Sequence, residues 1–372
     1  MGKRYSAATG IHGFRRRLVR RLINLWSTPA VLSERPLPSF GITRILVCRT
    51  SHSLGNSLLL TPLLAELERV YPGAEVDIVT QSPAGTDMYG SWPTVRNVMR
   101  LPSRFPPHLP WVLRILRDMR STHYDLAIDP DPQSKTGRLL LRLAHARFKL
   151  GYVGSEKSGD VTHGVGTEGG VRHVAQVPVH LLRAAMHCTQ PVPFPRPNIR
   201  LTDIELANGR NKVANVLRQR WGTTDVRHVI GIFANATGAK RLPRDWWFAM
   251  LDRLELLLPE HAFIEFTPAE GASMLDDRYP TMFCSNLRRM ASCNATLDGF
   301  VSVDSGPMHL AWTSGTPTFG IFTGTDIQEW GPYGENGYVI DNSMHTPLSV
   351  AETIARHYAA DRAAPTEQAI NA

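Results

Sequence analysis

Cysteine is scarce: Cys48, Cys188, Cys284 and Cys293 are the four thiols in 372 residues, and none has the close Cys or His spacing of a zinc site. A disulfide scaffold is excluded, and the four read as reduced thiols of a cytoplasmic protein. No run reaches the roughly 18 apolar residues that cross a bilayer. The basic start also lacks the apolar core and small-residue cleavage site of an export signal. There is no Gly-Lys-Ser/Thr loop, and no Gly-x-Gly-x-x-Gly is followed by the acid that would hold a ribose, which sets a nicotinamide dehydrogenase aside. Acid is nearly missing from residues 1–40, where Glu34 stands against eight Lys and Arg side chains. That segment therefore carries +7 of the formal +8. The remainder is close to neutral, so the body of the chain has no charge for nucleic acid.

What is present is globular composition, 42% hydrophobic and 20% charged, at a length that suits two domains. Phe14, Leu18, Val19, Leu22, Ile23, Leu25 and Trp26 share one half of a helical wheel, opposite Arg16, Arg17, Arg20 and Arg21. This amphipathic stretch, residues 11–27, suits an anionic membrane surface; a helix packed on the protein's own body would show the same pattern. Pro29, Pro36 and Pro38 then mark a linker.

Arg44-Ile-Leu-Val-Cys-Arg49 is an apolar run expected of a strand buried on both faces of a parallel sheet. Further strands are read at Val76–Val79 and Asp125–Asp129, with helical patterns between them, which predicts a doubly wound α/β domain. Ligands in such sheets bind beyond the carboxyl ends of strands, so the loop Thr50-Ser-His52-Ser-Leu-Gly55-Asn56 is the first candidate. Gly55 would let backbone come close to a ligand, or simply make a tight turn. Asp129-Pro-Asp131 could pair carboxylates on a divalent metal, or could be an ordinary strand end and turn.

Pro191-Val-Pro-Phe-Pro-Arg-Pro197 suits an interdomain connection. A second α/β unit follows. The buried strand His228–Phe233 leads into Ala234-Asn-Ala-Thr237-Gly-Ala-Lys240-Arg241 and a helix starting near Pro243, an arrangement suited to phosphate. Gly299–Val303 is a strand, Asp304-Ser305-Gly306-Pro307-Met308-His309 a sharp turn into a helix, and Thr318–Phe322 a strand before the polar loop Thr323–Asp326 with Thr325. Backbone amides at that helix start, with Ser305 and His309 as neutral donors, could hold a diphosphate.

Several blocks together resemble glycosyltransferase family 9, the heptosyltransferases of bacterial lipopolysaccharide core assembly, over about residues 42–340. They are Leu54-Gly-Asn-Ser-Leu-Leu-Leu-Thr-Pro-Leu-Leu64, Tyr71-Pro-Gly-Ala74, Tyr124-Asp-Leu-Ala-Ile-Asp129, Lys240-Arg-Leu-Pro before Trp247, Val303-Asp-Ser-Gly-Pro-Met-His309-Leu-Ala311 and Trp330-Gly-Pro-Tyr333-Gly. The resemblance implies a GT-B fold, two Rossmann-like doubly wound domains facing a central cleft. Residues 1–40 would be leader and linker, 41–190 the acceptor domain, 191–225 the connection, 226–345 the donor-binding domain and 346–372 a C-terminal helix and tail.

It further implies metal-independent inverting transfer from a nucleotide-diphosphate sugar, such as an ADP-heptose-like donor. The acceptor would be a lipopolysaccharide-core or other lipid-linked glycan at the inner face of the cytoplasmic membrane. Lys240 would neutralise donor phosphate, helped by Thr237 and Arg241, while Asp304, Ser305, Gly306, Pro307, Met308, His309 and Thr325 surround the diphosphate. Two departures stand out. The family's acid after the first-loop glycine is Asn56 here, and an amide is no base near pH 7. His52 and Asp129 or Asp131 are the replacement candidates, and a donor-binding protein without catalysis is the alternative. The turn Glu265-Phe-Thr-Pro-Ala-Glu270-Gly271 also places its glycine late, which puts the adenine donor in question.

Overall fold

In this computed structural model, residues 32, 34–102, 108–154, 157, 159–167, 170–222, 228–268 and 271–363 are described. The basic stretch 11–27 lies outside them. Two six-stranded, all-parallel sheets dominate. The first contains β1 (Arg44–Arg49), β2 (Glu75–Thr80), β3 (Val95–Arg100), β4 (Tyr124–Asp129), β5 (Ala146–Val153) and β6 (His163–Gly166), in the order β3-β2-β1-β4-β5-β6. The second contains β7 (His228–Phe233), β8 (His261–Phe266), β9 (Thr281–Met282), β10 (Gly299–Val303), β11 (Thr318–Phe322) and β12 (Gly337–Asp341), in the order β12-β11-β10-β7-β8-β9. Both sheets therefore have the doubly wound order, and each reverses direction beside its first strand. The first crevice opens between β1 and β4 and the second between β7 and β10. This is the GT-B architecture.

The apolar runs behave as their composition requires. Ile45, Leu46, Val47 and Cys48 of β1 have no exposed surface, because each alternate side chain meets a helical layer on its own face of the sheet. In β7, Ile230 and Ile232 face one layer while Val229 and Phe233 face the other. Gly231 between them is required by crowding: a Cβ there would stand 2.7 Å from both Leu297 Cδ1 and Phe300 Cδ2.

The connection expected at 191–225 contains a 19-residue helix, Asp203–Trp221, that packs on helix Leu287–Asn294 of the second half. It starts with a capping box in which Thr202 and Glu205 each accept the other's backbone N–H. Helix Pro347–Ala363 packs on helix Arg244–Leu257, and its Val350, Ala351 and Ile354 complete the core beside β7 and β10. The halves are tied by paired charges and backbone contacts. Arg200 reaches Glu68 and lies 3.7 Å above the Trp92 ring, and Ile199 N–H donates to Thr313 C=O at 3.0 Å.

Candidate functional site

The two crevices face one cavity of about 370 Å³. Ser53, Gly55 and Asn56 line it from the loop after β1, Phe233 to Thr237 and Lys240 from the loop after β7, and Asp304 to Pro307 with His309 from the turn after β10. Trp330 closes one side. Ser53 caps the short helix Leu54–Leu58 by accepting from Asn56 N–H at 3.3 Å, which fixes the backbone that presents Asn56. Helix Leu54–Leu58 rests on helix Gly306–Thr313, and the contact needs a glycine on each side. A Cβ on Gly55 would stand 2.7 Å from His309 Cδ2, and one on Gly306 would stand 3.2 Å from Leu54 Cβ. Gly55 therefore admits the imidazole of the other half, while it also lines the cavity.

Asp304 organises the charge. Its buried carboxylate pairs with Lys240 Nζ through one oxygen and has His309 Nε2 3.7 Å from the other. Burial alone would push this carboxyl up, but hydrogen bonds from His309, Lys240 and Thr325 hold it down at about 2. It is thus an anion at neutral pH and cannot itself touch a diphosphate favourably. Its effect is to aim Lys240, His309 and Thr325, so the expectation that Asp304 contacts phosphate becomes one of positioning. At the helix start, Ser305 Oγ already accepts Met308 N–H at 3.3 Å, and Pro307 has no N–H. The Gly306 amide and the positive end of the helix remain for an anion, fewer donors than the turn suggests by itself. Nδ1 of His309 is buried without a hydrogen-bond partner.

The sequence model of glycosyltransferase family 9 (heptosyltransferase) matches residues 278–359, the segment that contains the Asp304–His309 turn. Lipopolysaccharide heptosyltransferase 3 of Escherichia coli K12 is 22% identical over 309 residues, 76% of this chain and 83% of that protein. Both place the chain's similarity with glycosyltransferase family 9. Its fold is shared with a family 9 glycosyltransferase of Veillonella parvula, with a TM-score of 0.69 at 17% identity over 86% of this chain and 96% of that one. It is shared too with the E. coli heptosyltransferase WaaC solved with ADP-2-deoxy-2-fluoro heptose, with a TM-score of 0.63 at 19% identity over 85% of this chain and 100% of that one.

Around this cavity the sequence candidates separate. Asn56, Thr237, Lys240, Asp304, Ser305, Gly306, Pro307 and His309 meet around the cavity, and Thr325 joins through its bond to Asp304. Met308, Arg241, Asp129 and His52 do not. Met308 is fully buried, its sulfur filling the space where Gly320 lacks a side chain. Arg241 leaves the cleft for a neighbouring hollow, where its guanidinium lies 3.2 Å from Met274 Sδ.

Asp129 has no exposed surface; one oxygen takes Arg138 Nε at 3.2 Å and Lys157 Nζ at 2.5 Å. Burial pushes this carboxyl up and the Lys157 ammonium down, against their mutual attraction. Asp129 is consequently a buried anchor that no acceptor hydroxyl reaches. Asp131 instead meets Arg49 at 3.3 Å, so the Asp129-Pro-Asp131 carboxylates are committed to separate cations rather than to a shared metal. His52 is exposed on the first loop, outside the cavity wall.

Arg49 is the residue that sequence reading passed over. It is 5% exposed at the end of β1, and it reaches both Asp131 and the Asn56 carbonyl, the latter at 3.3 Å. A cation closing an apolar strand run was the available signal. Glu265, in the other departing segment, is buried and accepts from Ser273 Oγ at 2.5 Å and Met274 N–H at 2.6 Å, so it shapes the turn before Leu275.

Proposed function

We propose that this chain transfers a heptose-like sugar from a nucleotide-diphosphate donor to a hydroxyl of a lipopolysaccharide-core acceptor, with inversion and without a bound metal. The observation behind the reading is the cavity in which Lys240, held by Asp304, faces the helix start at Gly306 and the first-loop residue Asn56. As the glycosidic bond to the diphosphate breaks, negative charge grows on the leaving phosphate. Lys240 and the Gly306 end of the helix are placed to meet it, the electrostatic part of the catalysis. The ADP-heptose named with WaaC makes an adenine donor the first to test.

The acceptor proton needs another group, because Asn56 cannot take it. His52, four residues away on the same loop and exposed, is assigned that role. A second reading follows from the amide at Asn56: a donor-binding protein with little turnover. Transfer from a panel of nucleotide sugars in EDTA separates them. The leading reading expects activity in EDTA that His52→Ala removes and Asn56→Asp does not raise. A large gain from Asn56→Asp in a nearly inactive parent supports the second.

The acceptor places the protein at the inner membrane face as a peripheral enzyme. Besides residues 11–27, helix Leu109–Ser121 of the first half exposes Leu109, Trp111 and Leu113 beside the exposed Arg114 and Arg117, a pairing suited to anionic lipid. Flotation with anionic vesicles should fall with salt, and equal flotation with neutral vesicles would remove this part of the reading.

A further inference from the structure

Outside the residues that line the cavity, three side chains from three elements converge. Lys212 comes from helix Asp203–Trp221, Cys284 from the segment after β9, and Cys293 from helix Leu287–Asn294. Lys212 Nζ is 2.9 Å from Cys284 Sγ and 3.5 Å from the Phe283 carbonyl. Cys293 is buried in the cluster against which Cys284, itself half-buried, packs. Both thiols are free. An ammonium on one side and a thiol donor on the other are what a thiolate needs. The Cys293 and Lys212 hydrogen bonds hold the Cys284 thiol down at about 6 although burial opposes them, and Cys293 is correspondingly pushed up. The other two thiols are set differently. Cys48 is sealed in β1, where burial pushes it up, and Cys188 is exposed.

We propose that Cys284 and Cys293 form an oxidation site, with Cys284 the thiolate that attacks a hydroperoxide and Cys293 the thiol that resolves the product. In the first step the Cys284 sulfur attacks one peroxide oxygen; the S–O bond forms, the O–O bond breaks, and the released hydroxide or alkoxide is protonated by solvent. Cys284 is oxidised to the sulfenic acid and the peroxide is reduced. In the second step Cys293 gives up its proton, its sulfur attacks Cys284, the S–S bond forms, and the hydroxyl of the sulfenic acid leaves with that proton as water.

The bond closes the segment from 284 to 293, and that segment contains Arg288. Arg288 joins the two halves: its guanidinium donates to the Asp87 carbonyl at 3.0 Å, to Ser91 Oγ at 3.0 Å and to Glu205 Oε1 at 2.5 Å. Oxidation therefore acts on the residue that sets how the halves meet, without touching the donor cavity.

The test uses the full-length reduced protein treated with hydrogen peroxide, followed by peptide mapping. The expected product is a Cys284–Cys293 crosslink with the loss of two hydrogens. Cys293→Ser should stop at a Cys284 sulfenic acid trapped by dimedone, and Cys284→Ser should form neither. In unmodified protein the iodoacetamide rate at Cys284 should rise through about pH 6, and Lys212→Met should slow it roughly ten-fold at pH 7. Oxidation confined to Cys188, or a Cys284 rate that rises only near the ordinary thiol range, overturns the proposal.

Discussion

The two crevices have the same strand order and opposite uses. Between β1 and β4, the charged groups at the strand ends are spent on one another: Asp129 on Arg138 and Lys157, Asp131 on Arg49. Between β7 and β10, Asp304 is nearly as buried, but its partner Lys240 is well exposed to the cavity. A buried carboxylate needs cations in either place. The difference is whether those cations are sealed in with it or left with donors to spare, and only the second arrangement offers a ligand a charge.

Four experiments can break or sharpen this contrast. The largest effect is expected from Asp129→Ala, which leaves Lys157 and Arg138 buried without their anion. It should cost about 3–5 kcal/mol in urea unfolding, with nucleotide affinity little changed in the folded fraction. Weaker affinity at unchanged stability would make the first crevice a binding site after all. Lys240→Ala should weaken ADP binding on the order of ten-fold by calorimetry, the discounted value of one half-exposed charged contact, and should also lower the unfolding midpoint, because it leaves the buried Asp304 carboxylate without its ammonium partner.

Gly55→Ala drives a methyl to 2.7 Å from His309. It should cost roughly 1–3 kcal/mol and lower transfer turnover more than donor affinity. The smallest effect concerns Glu205, which the Arg288 hydrogen bonds hold down at about 2. Its folded value lies below the unfolded one, so its stabilisation is present above about pH 4.5 and is lost as the pH falls towards 2. Acid unfolding of Glu205→Gln should show a shallower slope in that window than the parent.

The central strands of both sheets were legible because they are apolar on both faces, as in Ile45–Cys48 and Phe300–Val303. The edge strand β3 and the strand β5, one in from the other edge, were not. β3 reads Val95-Arg-Asn-Val-Met-Arg100 and is largely exposed, and β5 mixes Arg147 and Lys149 with its apolar residues. Their pairing comes from tertiary context rather than local pattern. In the site, the clustered turn Asp304–His309 was readable because its residues are adjacent in sequence. The burial of Asp129 was not, since it depends on Lys157 arriving from 28 residues away. The side of the loop on which Arg241 falls is decided by the short 3₁₀ turn Gly238–Lys240, which turns neighbouring cations in different directions.

The empty side of Gly55, filled by the His309 ring, has a mechanical meaning. Two loops from different halves share one van der Waals surface, with no side chain between them to absorb a displacement. Any shift of the imidazole is passed directly to the backbone that holds Asn56. The spacing between the turn after β10 and the loop after β1 is thus gauged by an aromatic edge against bare backbone.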